Sequence, residues 1–578
     1  MFRTIWRHTG RYKASLLLTP VWTGAEVVMG VLIPYVTAAL IDKGLNAGSL
    51  PDVWKYGAEM LALAVLSLLF GILAARFAAY SSTGLAANLR EAMFTNIQRF
   101  SFSDMDKFGA AGLVTRMTTD VSNVQNATQM LLRTSIRAPL NLVFSFVMCL
   151  LINRRLSLIF LAAMAVLSAA LYFLISRAAK LFRQILLRYD DLNAVVRENV
   201  DAVRVVKAFV RENHEISKFD RAVLELYTLS VRAETLMSLN GPLMNLVVYA
   251  SIMAISWFGA RFIVQGTLTT GELTSLFSYI MMVMTSLMML SMIFVSLTQS
   301  AASVHRVAEV IEEEPDMYDP AVPVVAGRGG TVDFEHVRFS YRKGGDPALV
   351  DINLHIDSGE TIGIIGGTGS GKSSLGYLVS RLYDVSEGVV RVDGKDVRDY
   401  SMETLRRKVA TVLQQSTLFS GTILENLRWG NPDATLEECR EACRIACADE
   451  FVEDFPDGYD TVIEQGGVNV SGGQRQRLCI ARALLRKPDI LILDDSTSAV
   501  DTATDARIRA CLAEYSPGTT VIIIAQRILS IKDADRIVVM DDGRIAGVGT
   551  HEELLAGNDI YRDIYTLQTS GGEADFDA

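Results

Sequence analysis

Hydrophobic and polar positions divide the chain in two. Over about the first 310 residues, apolar residues run in stretches near 20 long, the length that crosses a bilayer as a helix. Six such stretches occur, at 15–41, 57–80, 132–152, 156–176, 240–264 and 273–298. The first is too long for a signal-peptide core and has no convincing cleavage site, so it is expected to persist as a helix. Connections alternate short and long, and the long ones, 81–131 and 177–239, are charged and helix-patterned. Two pairs of spanning helices that run on past the membrane, turn and return would make such connections. The turns are expected near Ser101–Gly109 and Arg211–Phe219, with Asn193–Arg211 strongly helical.

Beyond about residue 330 the period changes. Short β-rich runs at 331–338, 361–365, 409–413, 490–494 and 520–524 alternate with helical patterns, which predicts an α/β plan. Between the halves, Glu312 to Gly330 is rich in Glu, Pro and Gly and reads as a linker. The expected layout is a membrane domain at 1–311, a linker at 312–330, an α/β domain at 331–568 and an acidic tail at 569–578.

Charge sharpens this division. Residues 1–330 hold 29 Lys+Arg against 24 Asp+Glu, net +5; residues 331–578 hold 26 against 41, net −15. The long connections carry fifteen Lys and Arg and the short ones five, which places the long connections and both termini on the cytosolic side. No basic stripe calls for nucleic acid. The six cysteines include Cys439, Cys443 and Cys447 at i, i+4, i+8, one helical stripe that reads as core packing in a reducing compartment. Within the spanning segments, Glu26 either lines a path or bonds to a neighbouring helix. The methionines from Met281 to Met292 go round their helix and are expected against lipid or packed neighbours.

The chemistry is concentrated in the second half. Gly366-Gly367-Thr368-Gly369-Ser370-Gly371-Lys372-Ser373 matches G-x-x-x-x-G-K-[ST], follows a predicted strand and opens a predicted helix at Lys372-Ser373-Ser374. Backbone N–H groups of such a loop close round phosphates, and the helix N-terminus favours negative charge. Lys372 would reach the β- and γ-phosphates and Ser373 would ligate Mg²⁺. Downstream, the apolar run Ile490–Leu493 ends in Asp494, a carboxylate placed to hold the Mg²⁺ shell.

With these two motifs in place, the sequence resembles the ABC transporters. Val470-Ser471-Gly472-Gly473-Gln474 is a close match to the ABC signature, with Val where the family usually has Leu. Gln414 matches the Q-loop and a further Mg²⁺ ligand, Ser498 to Asp501 the D-loop, and Tyr341 the aromatic that stacks on adenine. The motifs occur in family order, and six helices ahead of one nucleotide domain resemble a type IV exporter half-transporter. The resemblance implies ATP and Mg²⁺ as cofactors, an exporter of amphipathic drugs, lipids or peptides, and a multi-pass location in a bacterial inner membrane among its lipids. The six spans exclude a soluble ABC ATPase of translation or DNA repair.

Two positions depart from the family. The residue after the Walker B aspartate is usually Glu, which polarises the attacking water; here it is Asp495, one methylene shorter. The switch loop usually offers a His to the γ-phosphate; here Gln526 stands there, which hydrogen-bonds but carries no charge. In this family ATP lies between the P-loop face of one nucleotide domain and the signature face of the other. The resemblance therefore implies a heterodimer, in which Ser471–Gln474 complete the site of a partner with its own Glu and His, while the Lys372 site turns over slowly. A homodimeric exporter, an importer of siderophore-like compounds and an ATP-sensing regulatory subunit are the other readings.

Overall fold

The structure is a computed structural model and describes residues 6–324, 327, 329–342, 344–515 and 518–570. The expected acidic tail from Gly571 onward lies outside the described residues, as do three positions of the linker. The chain forms two compact units: Met1–Gln98 with Ala111–Glu313, and Arg99–Ala110 with Glu314–Ala578.

In the first unit, six described helical stretches are long and apolar enough to cross a membrane. The principal helices are α1 (Lys13–Ala39) and α2 (Leu50–Ile97), then, beyond the short α3 (Phe102–Phe108), α4 (Val121–Ile152) and α5 (Arg154–Asp201). They continue as α6 (Val203–Ala208), α7 (Glu212–Ser238), α8 (Asn240–Val264) and α9 (Thr270–Glu312). Helices α2 and α5 have 48 residues each. At 1.5 Å per residue that is about 70 Å, more than twice a hydrocarbon core, so each runs well beyond any bilayer it crosses.

Local sequence sets where these helices begin. The Asn153 side chain accepts from the N–H groups of Arg155 and Leu156, which starts α5 one residue after α4 ends. Thr269 and Glu272 form a capping box at the head of α9. Pro34 inside α1 removes the ladder donor to the Gly30 carbonyl. Two other carbonyls of α1 accept bonds between helices: Tyr279 of α9 donates to Val31 O at 2.8 Å, and Ser275 donates to Pro34 O. Glu26 is nearly buried and takes the second of its two readings, as an interhelical ion pair with Arg137 of α4 at 3.1 Å. Met284 is buried while Met281 and Met292 are exposed, so the methionines meet both packed neighbours and the outer side of α9.

The turn in the second long connection differs from its expected place. The short helix is α6 at Val203–Ala208, and Arg211 already caps α7. The break falls at Ala202 and at Val210, whose φ of 51° is left-handed. Neither position carries the Gly or Pro that marks a turn in a sequence, so the pattern read on through it.

The second unit holds a four-stranded antiparallel sheet of β1 (Val332–Phe339), β2 (Leu349–Ile356), β4 (Glu387–Val392) and β5 (Lys395–Asp396), in the order β2-β1-β4-β5. Its main sheet comprises β3 (Thr361–Gly366), β6 (Val409–Val412), β7 (Ile490–Asp494), β8 (Thr520–Ile524), β9 (Arg536–Asp541) and β10 (Arg544–Gly549). The order is β10-β9-β3-β8-β7-β6, parallel except for β10. Both faces are buried: Ile490 and Ile492 enter one core, Leu491 and Leu493 the other. This is why these strands read as unbroken apolar runs and not as alternation. Each such side chain stabilises the sheet by about 1.5–3 kcal/mol. The helical stripe of Cys439, Cys443 and Cys447 is buried in one of these cores, and burial pushes the Cys443 thiol up to about 12.

Candidate functional site

Parallel pairing brings the motifs together. β8 lies between β3 and β7, with Ile524 opposite both Ile364 and Asp494. The loops leaving these three strands therefore open at the same sheet edge, where ligands of open α/β sheets bind. They are the glycine loop Gly366–Gly371, the segment from Asp494 and the segment from Ala525. Gln414 follows β6, the neighbour of β7.

The glycine loop depends on its glycines. Gly371 has φ 93°, and a Cβ there would lie 2.6 Å from the Ala348 carbonyl; at Gly366 it would lie 2.1 Å from the Met540 carbonyl. Gly371 leads into α10 (Lys372–Val379). Lys372 Nζ donates to the carbonyls of Gly366 at 2.8 Å and Gly367 at 2.6 Å, and reaches Ser370 Oγ at 3.4 Å. Burial lowers its pKa, against the pull of Asp494 and Asp495. Gly367, Thr368 and Gly369 form the rest of the loop, and Gly367 and Gly369 have nothing within 4 Å of a would-be Cβ.

Ser373 Oγ donates to Asp494 Oδ1 at 2.8 Å. Asp494 is buried and its Oδ2 has no hydrogen-bond partner. Burial raises its pKa, opposed by Ser373, Tyr377 and Lys372. A hydroxyl beside a buried carboxylate with a free oxygen is a hard-oxygen donor set that fits Mg²⁺. The third expected ligand, Gln414, leaves the end of β6 and is close enough to Asp495 to hold its pKa down.

Asp495 sits half-buried at φ 48°, its N–H bonded to Ile524 O at 2.8 Å. Aspartate visits this left-handed region more readily than most residues. Burial and then the Asp494 charge raise the Asp495 pKa, while Gln414 and Arg527 oppose the rise. Gln526 Nε2 donates to Asp495 Oδ2 at 3.0 Å. The two departures from the family are thus bonded to each other.

Tyr341 is 44% exposed, and its hydroxyl lies 2.8 Å from Ser374 Oγ. Its ring meets Tyr383 edge-on at 5.2 Å. Tyr383 in turn donates to Asp106 Oδ2 at 2.7 Å and packs edge-on against Phe102, both on α3. The turn in the first long connection thus packs, within this unit, against the residue that touches the expected adenine platform. Ser101 and Asp104 start α3 with a capping box.

Signature residues lie apart from this cluster. Ser471 accepts from Gln474 N–H at 3.2 Å, and the Gln474 side chain accepts from Ser471 N–H at 2.8 Å. This box heads the helix α11 (Gly472–Leu484) and leaves the N–H groups of Gly472 and Gly473 at its positive end. In the D-loop, Ser498 donates to Asp495 O at 2.9 Å, and Asp501 accepts from Thr504 N–H at 2.9 Å.

Sequence reading missed Tyr377, Tyr383 and Gln568. Tyr377 lies beside Asp494, and burial with that negative neighbour pushes its phenol well above the usual range. None of the three sits in a short motif, so no local signal marks them.

Comparison with known proteins agrees with the geometry. Residues 21–287 match the ABC transporter transmembrane region and residues 349–498 the ABC transporter domain. The chain is 37% identical over 544 residues to the uncharacterized ABC transporter ATP-binding protein YfiB of Bacillus subtilis, covering 94% of each chain. It is 32% identical over 486 residues to the ATP-dependent lipid A-core flippase of Desulfotalea psychrophila, covering 83% of this chain and 84% of the flippase. The solved structure of a bacterial Atm1-family ABC exporter with ATP bound matches at a TM-score of 0.80 and 25% identity, covering 97% of this chain and 99% of that one.

Proposed function

The chain belongs to the ABC transporter family, an exporter half-transporter with an ABC ATPase domain, and from that premise we propose that it is the slow-site half of a heterodimer. The observation that carries this reading is the 3.0 Å bond from Gln526 to Asp495. In a site built for rapid hydrolysis, a longer carboxylate would face water and a cationic His would face the γ-phosphate. Here the two replacements are shorter or uncharged, and they satisfy each other. A small misplacement of a catalytic group costs about a hundredfold in rate.

The remaining parts then have distinct tasks. The loop Gly366–Ser374 and Lys372 bind the phosphates, and Tyr341 stacks on adenine. Ser373 and Asp494 hold Mg²⁺, which when bound neutralises phosphate charge. Asp495 accepts a proton from water, slowly, with Gln526 donating toward the γ-phosphate. Ser471, Gly472, Gly473 and Gln474 offer the head of α11 to ATP on the partner, and Ser498 and Asp501 line the contact between the two nucleotide domains. Closure of those domains moves α3 and α6 and reorients the spanning helices. The cargo is an amphipathic molecule, a drug, lipid or peptide; the similarity to a lipid A-core flippase supports the lipid class. The nucleotide domain faces the cytosol of a bacterial inner membrane.

A second reading, the homodimeric exporter, has one observation in its favour. Burial raises the Asp495 pKa, which makes its carboxylate a stronger base. ATPase activity in nanodiscs, of this chain alone and with the product of the neighbouring gene, separates the two. The heterodimer predicts activity only in the pair, abolished by changing the partner's catalytic Glu and merely reduced by Asp495→Asn. Robust activity of this chain alone would replace it with the homodimer.

A further inference from the structure

The switch loop is held from outside the nucleotide site. In the C-terminal helix α12 (Asp559–Ser570), the Gln568 side chain makes two hydrogen bonds to the backbone of that loop. Its Oε1 accepts from Ile528 N–H at 2.9 Å, and its Nε2 donates to the Gln526 carbonyl at 2.7 Å. The two bonds bracket Arg527, whose guanidinium reaches the Ser498 carbonyl of the D-loop at 3.4 Å. Only a side-chain amide offers a donor and an acceptor side by side: Glu could not donate and Lys could not accept.

The bracket is anchored at its far end. Tyr561 of α12 is fully buried, its hydroxyl lies 2.6 Å from His551 Nδ1, and its N–H donates to Asn558 at 2.9 Å. A fixed helix therefore presents Gln568 to two peptide groups of a loop in which exposed Gln526 and Arg527 lie between buried Ala525 and Ile528. The two exposed residues have little burial of their own to hold them, so two backbone bonds weigh in setting the shape of that short span. The Gln526 backbone carries the side chain that donates to Asp495 at 3.0 Å. Hydrogen bonds of this kind reach the hydrolytic carboxylate in two steps, from Gln568 through Gln526 to Asp495.

We infer that Gln568 is a positioning residue for hydrolysis, which acts by fixing the switch-loop backbone so that Gln526 faces Asp495 and the γ-phosphate. The inference rests on the role proposed above for Gln526. It does not depend on how fast the site turns over, because the test compares variants with the parent chain.

The test uses the co-expressed pair of half-transporters in lipid nanodiscs, in protein excess over radiolabelled Mg·ATP, and reads the slow phase of phosphate release in a single turnover beside the ATP dissociation constant of the Lys372 site. Gln568→Met keeps the length and helix propensity and removes both bonds; Gln568→Ala is the second variant. Both should slow phosphate release about tenfold and leave ATP affinity within about twofold. Gln526→Ala should slow release by a similar factor, and Gln568→Met added to it should slow release no further. Multiplying losses in the double variant, a loss of ATP affinity that accounts for the rate, or full activity of Gln568→Met would each overturn the inference. If Gln526→Ala alone changes nothing, the proposed role of Gln526 fails too; slow release in Gln568→Met with an active Gln526→Ala would refute only the route through Gln526.

Discussion

The phosphate-binding end and the hydrolytic end of the nucleotide site are built from neighbouring strands, yet they are finished differently. At the proposed binding end the loop is held by its own backbone and one cation. Gly371 takes its left-handed turn, Lys372 lies across the loop, and Ser373 meets Asp494 at 2.8 Å. At the hydrolytic end, Asp495 and Gln526 are bonded to one another, and Asp495 also meets Gln414. The difference teaches that one fold can build neighbouring loop ends by different means. The first rests on backbone geometry and one cation, the second on a bond between two side chains.

That comparison can be broken most sharply at its binding end. Lys372→Ala should weaken ATP binding by about a hundredfold, since a charge-assisted bond to phosphate in a half-buried site is lost. Equilibrium binding of a fluorescent ATP analogue would measure this, and near-normal affinity would show that the backbone loop suffices. At the other end, Asp495→Glu combined with Gln526→His should raise phosphate release about thirtyfold with ATP affinity unchanged. No rise would mean that the hydrolytic end is limited by something other than those two side chains.

The smallest expected effect concerns stability. Burial holds the Asp494 carboxyl above its ordinary range. A carboxyl raised in the folded state contributes stability fully below its unfolded pKa, and that contribution is lost as pH rises through the folded one. At neutral pH the charge therefore destabilises the nucleotide-free chain. Asp494→Asn should stabilise it by about 1 kcal/mol at pH 7.5, the usual gain when a functional strain is removed. The gain should shrink as pH falls toward about 4, where the parent carboxyl also becomes neutral. Thermal melts across that range would read it, together with loss of Mg²⁺-dependent ATP binding. A gain that grows on acidification would reverse the sign of the argument.

Much of the site was legible because its chemistry fixes spacing. Phosphate capture needs a strand, a glycine loop and a helix in unbroken order, so Gly366–Ser374 announces itself. Asp494 is legible as the end of an apolar run that had to be a buried strand. The paired strands at Arg536–Asp541 and Arg544–Gly549 were not read, although Asp541-Asp542-Gly543 between them carries a turn signal. The turn in the second long connection reads from the sequence at Arg211–Phe219, several residues late, because Ala202 and Val210 break the helix without a residue that marks a break. Tyr383 and Gln568 were silent for a different reason. Their partners, Asp106 and the backbone at Gln526 and Ile528, lie 277, 42 and 40 residues away.

The sequence by itself determined that this chain has six stretches long and apolar enough to cross a membrane, a phosphate-type glycine loop after a strand, and an aspartate at the end of a buried apolar run. Those features depend on hydrophobic length and on motif spacing, which are local properties of a chain. Only the tertiary structure decided that Asp495 and Gln526 bond to each other and that Gln568 brackets the switch loop. These depend on the parallel pairing of β3, β8 and β7 and on where the C-terminal helix comes to rest. A hydrogen bond is set by ångströms and angles between groups far apart in sequence, and no periodicity along the chain encodes that distance.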